Sequence, residues 1–186
     1  REAFDNRDIY TKGAWMLHTL RRHIGETAFW NGTRRLLYDT RNPWALSYPI
    51  EPRYRSTDDF IRIMSDEAGE DISWLVEPYL YEADLPALKT SRSDGLLHLE
   101  WSAPGDRVFP MPVEVSVDGA VSVVEMREGS GSIAVADSAR IVIDPRSAIL
   151  RALPIIGDCS EQTDAQVAHN IERWTRMAME FEKKKN

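Results

Sequence analysis

The sequence predicts an α+β fold: a helical half, then a small antiparallel β-sandwich, then one more helix. Three observations predict it. Apolar residues recur at three- and four-residue spacing as far as Leu80. After residue 90 the period falls to two, with turn signals between short runs. Between 164 and 183 the helical spacing returns. The parts are expected at 1–88, 89–151 and 152–186.

The first helix is expected from Asp8 to Gly25, with Ile9, Gly13, Met16, Leu17, Leu20 and Ile24 on one face. Gly25 sits where a left-handed C-cap would end it. A glycine inside a helix costs about 1 kcal/mol against alanine. Gly13 therefore predicts a close approach by another element. A second helix spans 26–40, with Phe29, Trp30, Thr33, Leu36 and Leu37 on a broad apolar face. The connection 41–56 holds Pro43, Pro49 and Pro52, and its Trp44, Tyr48 and Tyr54 are expected to pack down.

Ser56 or Thr57 starts a third helix, with Asp58 and Asp59 in its first turn, Phe60, Ile61, Met64 and Ala68 inward, and Gly69 at its end. Asp71 is expected to cap a fourth helix carrying Ile72, Trp74, Leu75, Tyr79 and Leu80, and Pro86 closes the helical half. Leu97, Leu99 and Trp101 then alternate with Leu96, His98 and Glu100. Val113, Val115 and Val117 alternate with Glu114 and Ser116, and Asp118-Gly119 marks a hairpin turn. Further strands are read at 121–126, 132–135 and 140–143, with Gly129-Ser-Gly-Ser132 as another hairpin loop. Short strands with close turns predict a sandwich. In the last helix Val167, Ile171, Trp174, Ala178 and Phe181 form a stripe. That stripe offers an apolar surface that could dock on the sandwich or on a second copy.

Composition narrows the function. The 186 residues suit one medium domain or two small ones. A net charge of −7 disfavours a nucleic-acid partner, because phosphate binding needs a basic face. No apolar run approaches a membrane span, and no stretch reads as a signal peptide. Cys159 is the single cysteine, so it forms no internal disulfide and leaves the compartment open.

The first helix carries a recognisable wording. Tyr10-Thr-Lys12-Gly13-Ala14, then Leu17, Leu20-Arg21, Ile24-Gly25 and Phe29, resembles the tyrosine-bearing helix of the M1 family of zinc aminopeptidases. Further segments follow in the family's order. They are Ser56-Thr-Asp-Asp-Phe-Ile61, Gly69-Glu-Asp71-Ile-Ser-Trp74-Leu75, Tyr79-Leu80 and Leu85-Pro86. After them come Trp101, Phe109, Met111-Pro112-Val113, Asp118-Gly119, and Ile143-Asp144-Pro145 to Ile149-Leu150. The resemblance covers about residues 5 to 150. It implies the C-terminal half of a thermolysin-like catalytic domain, followed by that family's β-sandwich.

The same resemblance implies that Tyr10 is the catalytic tyrosine, donating its phenol O–H to the oxygen that turns negative as water attacks a peptide carbonyl. It implies zinc as the cofactor of the parent protein, with none held in this chain. The family binds zinc through His-Glu-x-x-His and a distant glutamate. None of the four histidines here makes that pattern, and Gly-x-Met-Glu-Asn is also missing. Both motifs precede the tyrosine helix in the family. A chain that begins at Arg1 is therefore expected to be part of a longer enzyme, inactive alone. Its partners would be the upstream catalytic portion and, through the complete parent, a peptide substrate. The alternatives are a non-catalytic interaction module and a zinc-less pseudoenzyme of the same ancestry.

Other candidates have plainer explanations. Lys12, Arg21 and Arg22 read as solvated helix charges. His18 and His23 fall on different faces of their helix. His169 and Glu172 offer two ligands on one helix face, where a metal needs three or four. Asp58-Asp59 and the acids from Glu67 to Asp71 fit capping and solvated faces better than paired glycosidase acids.

Overall fold

In a computed structural model, residues 8–46 and 54–153 are described. The expected helix at 164–183, together with Cys159, His169, Glu172 and Tyr48, lies outside them. The fold is α+β, and residues 1–152 form one compact unit. Its described helices are α1 (Asp8–Ile24), α2 (Glu26–Tyr38), α3 (Thr57–Ala68) and α4 (Ser73–Tyr81). The strands are β1 (Ala87–Ser93), β2 (Leu96–Ser102), β3 (Val113–Val117), β4 (Ala120–Val124), β5 (Ser130–Ala134) and β6 (Ile141–Ile143). They form two three-stranded antiparallel sheets, ordered β1-β2-β5 and β4-β3-β6.

Local chemistry explains most boundaries. At the start of α3 the Ser56 hydroxyl accepts from the Asp59 amide at 3.1 Å, and the Asp59 carboxylate accepts from the Ser56 amide at 3.2 Å. That reciprocal pair satisfies two donors the helix cannot pair internally. Gly69 ends α3 in the left-handed region at φ 76. Asp118 and Gly119 both take positive φ, as a tight turn between β3 and β4 requires. In α4 the cap falls one residue later than expected, on Ile72. Asp71 instead accepts from the amide and hydroxyl of Ser73, at 3.0 and 2.7 Å, closing a local turn ahead of the helix.

Four other expectations are corrected. Nothing approaches Gly13, which faces open space. The close approach falls on Gly32 of α2, where an added Cβ would meet Met64 Sδ at 2.5 Å. Trp44 and Tyr54 do not pack down: Trp44 is 79% exposed and Tyr54 fully so. Trp44 is instead capped from one side by the Arg34 guanidinium, 5.5 Å from its ring centroid, which suits a wet aromatic. The apolar face of α2 is narrower than expected, because Trp30 and Leu37 stay exposed while Phe29 is buried. Finally, the hairpin turn expected over Gly129-Ser-Gly-Ser132 falls one residue earlier, on Glu128-Gly129, both at positive φ, with Arg127 and Ser130 bridged antiparallel across it. Ser130, Gly131 and Ser132 belong to β5, which pairs with β2. Within β5, an added Cβ on Gly131 would meet the Glu125 carbonyl oxygen at 2.5 Å.

One buried cluster joins helices and sheets. Met16, Leu20, Phe29, Met64, Leu75 and Tyr79 share it with Leu97, Leu99, Trp101, Val113 and Val115. Phe109 lies at its centre, 1% exposed. The α2–α3 pair carries an ion network besides. Glu67 of α3 has a side chain only 3% exposed and accepts from Arg35 at 2.7 Å and Arg41 at 2.9 Å.

Burial works to raise the Glu67 pKa, but the hydrogen bonds from Arg35 and Arg41 outweigh it and hold the carboxyl below its ordinary value of 4.5. A lowered folded pKa means that the charged carboxylate stabilises the fold at neutral pH. That contribution is complete above pH 4.5 and fades as pH falls through the lower folded value. Glu67→Gln is therefore expected to cost about 1–2 kcal/mol at pH 7. The gap in urea midpoint between parent and variant should narrow at pH 3. A gap of equal size at both pH values would contradict the charge-based account.

Candidate functional site

Helix α1 presents two contrasting sides. Met16, Thr19 and Leu20 are buried, whereas Tyr10, Ala14 and Leu17 are exposed. Tyr10 lies in the first turn, 77% exposed, and its hydroxyl makes no hydrogen bond among the described residues. Beside this turn a groove of about 680 Å³ opens between α1 and the end of α4. Lys12, Trp15, Met16, Tyr79, Leu85 and Leu150 are among the residues that line it. Its wall is mostly apolar, as binding clefts are.

The inner side of α1 is fixed by buried hydrogen bonds. The Leu150 amide donates to Thr19 Oγ1 at 2.8 Å. The Tyr79 hydroxyl donates to the Leu150 carbonyl at 2.7 Å. Thr19 in turn donates to the Trp15 carbonyl at 3.0 Å. Both backbone groups of Leu150 are thus satisfied by side chains of α1 and α4, where an unpaired group would be costly. Burial pushes the Tyr79 phenol up from its ordinary value, which keeps it a donor.

The approach to Leu150 is equally ordered. Asp144 is buried, and its carboxylate accepts from the Ala148 and Ile149 amides at 2.7 and 3.1 Å. Residues 144–150 therefore form a strap from the β4-β3-β6 sheet back to the helices.

Lys12 is not a solvated charge. Its ammonium donates to the Glu82 carbonyl at 2.5 Å and to the Ala83 carbonyl at 3.4 Å. Those carbonyls follow the end of α4, where the helix dipole is negative and carbonyls lack intrahelical donors. Arg21 also has a partner, with Nε 3.6 Å from Glu26 Oε1.

His18 and His23 do not converge. His18 lies 3.4 Å from Arg21 Nη2, and its ring meets the Trp15 edge at 5.6 Å. His23 lies 3.1 Å from Glu70 Oε1 and packs edge-on against Trp74. Among the described residues no three His, Cys, Asp or Glu side chains are grouped to hold a metal ion. Asp59 is a capping residue, held below the usual carboxylate range by Arg62 and then by the Ser56 amide. Thr19 and the groove had no advance signal in the sequence, and Leu150 was marked only as the end of a motif run. A buried threonine reads as a helix-face residue until its partner, far along the chain, is known.

No protein-family model matches the chain, and no curated protein matches it. A solved structure does share the fold. The crystal structure of Legionella pneumophila aminopeptidase A in complex with aspartic acid is similar with a TM-score of 0.53. Identity is 15%, over 74% of this chain and 16% of that one. The chain thus spans about a sixth of the length of that protein. At this identity the likeness is one of fold.

Thr19→Val keeps the side-chain volume but removes the acceptor of the Leu150 amide. It is expected to cost about 1–3 kcal/mol, the penalty of an unsatisfied buried donor. Urea unfolding measures it. A loss within error would mean that water reaches the amide and that the strap does not depend on Thr19.

Proposed function

We propose that this chain is a segment of an M1-like zinc metallo-aminopeptidase, the part that follows the zinc site and includes the small sandwich beyond it. The observation that carries the reading is the shared fold with a segment of a solved aminopeptidase. The ordered motifs between Tyr10 and Leu150 support it separately, because they resemble an aminopeptidase family without using coordinates. On this reading the zinc ligands and the general base lie in other parts of the parent. The zinc would polarise the substrate carbonyl and the attacking water.

The residue of this chain assigned a catalytic role is Tyr10. A tetrahedral intermediate places negative charge on the former carbonyl oxygen. A phenol O–H already aimed at that position stabilises the charge without reorganisation. Its exposure on the outer side of α1, with no partner within the described residues, leaves the hydroxyl free for this task. Ala14 and Leu17 follow on the same side and would form part of a cleft wall or pack against the upstream portion.

The test is hydrolysis of aminoacyl anilides by the full-length protein from which this chain comes. Tyr10→Phe should lower kcat by about 10²–10³ while the circular dichroism spectrum stays unchanged. A loss under threefold would remove Tyr10 from the reaction. The chain of 186 residues alone should hydrolyse nothing measurable. Turnover tenfold above buffer would show that it carries its own catalytic centre and that the segment reading is wrong.

A further inference from the structure

We infer that Lys12 is a positioning residue for Tyr10, tethering the first turns of α1 to the end of α4. The inference rests on the peptidase reading of Tyr10, and it adds the group that places the phenol.

Among the described residues, few other side chains hold the first turns of α1. Tyr10, Thr11 and Ala14 are exposed. Gly13 has no side chain to pack and faces open space. Among the described side chains, the first buried one along the helix is Met16. Between them stands Lys12, the residue whose side chain reaches another element, with an ammonium 2.5 Å from the Glu82 carbonyl and 3.4 Å from that of Ala83.

The anchor is well chosen on both sides. Leu75, Val76 and Tyr79 bury α4 in the common core, so its end is a fixed point. A cation there meets unpaired carbonyls and the negative end of the dipole, and charge-assisted bonds are the stronger kind. Lys12 is two residues beyond Tyr10, a rotation of about 200° at 3.6 residues per turn. The same turn is therefore gripped on its inner side and presents the phenol on its outer side. Transition-state stabilisation by a single donor depends on placement, and a misplacement of about 1 Å can cost about 10²-fold in rate.

Two experiments together decide it. In the full-length enzyme, Lys12→Met should lower kcat by about tenfold or more and leave KM within twofold. Lys12→Arg, which keeps a cationic donor, should restore most of the loss. In a Tyr10→Phe background the same Lys12→Met change should have almost no further effect, because the tether acts through the phenol. A merely structural lysine would lower kcat by the same factor in both backgrounds.

In the 186-residue chain, amide exchange at Gly13 to Trp15 should quicken in Lys12→Met and not in Lys12→Arg. Unchanged exchange, or additive losses beside an active enzyme, overturns the tether and leaves the peptidase reading standing. A full-length protein without aminopeptidase activity overturns both.

Discussion

Phe109 is the contact on which the rest of the unit depends. Three rings pack against it in T-shaped geometry: Trp74 and Tyr79 of α4 at 5.6 and 6.0 Å, and Trp101 of β2 at 5.2 Å. Edge-to-face aromatic pairs are directional, so each ring constrains the others beyond its buried area. Trp101 is further held by its indole N–H, which donates to the Met111 carbonyl at 2.8 Å. Because α4 and β2 share one aromatic centre, helices and sheets form a single core. From α4 the order passes outward. Tyr79 fixes Leu150, Leu150 fixes Thr19, and the residues just after α4 hold Lys12. The placement of α1, and of Tyr10 on it, depends on a phenylalanine in a different part of the chain.

Elements set by neighbours in sequence were legible in advance. The start of α3 at Ser56, the Asp118-Gly119 turn and the alternation of β2 depend on residues a few positions apart. The α+β succession follows from them. What was illegible depends on partners far along the chain. Lys12 reads as solvent-facing until Glu82 is beside it, and Thr19 reads as ordinary until Leu150 arrives. The two glycines show the same division. Propensity marks Gly13 and Gly32 alike, and only the course of α3 decides that Met64 crowds one and nothing crowds the other. Strand β1 gave no signal because its residues from Lys89 onward are exposed, so nothing selects an apolar alternation there.

For the candidate site, legibility was of a third kind. Tyr10 was singled out by resemblance, and helical spacing gave it no distinction from any aromatic near a helix start. The structure places it on the exposed side of α1, with its hydroxyl unpaired among the described residues. A tyrosine kept only for packing would be expected to bury its ring, as Tyr79 does while donating to Leu150. The two tyrosines thus divide the properties of the side chain. Tyr79 uses ring and hydroxyl to hold the fold, and among the described residues Tyr10 uses neither for that purpose.

Free exposure alone would not make Tyr10 useful in catalysis. A phenol on a loosely held turn would sample many positions, and the electrostatic benefit of a donor falls with every position that misses the developing charge. The inner side of the same helix therefore bears on the outer one. Buried Met16, Thr19 and Leu20 set the axis of α1, and Lys12 carries that constraint to its first turns. On the peptidase reading, the core of this chain and its catalytic contribution are linked through that helix. The aromatic centre at Phe109 fixes α4, α4 fixes both sides of the groove, and the groove borders the turn that carries the phenol.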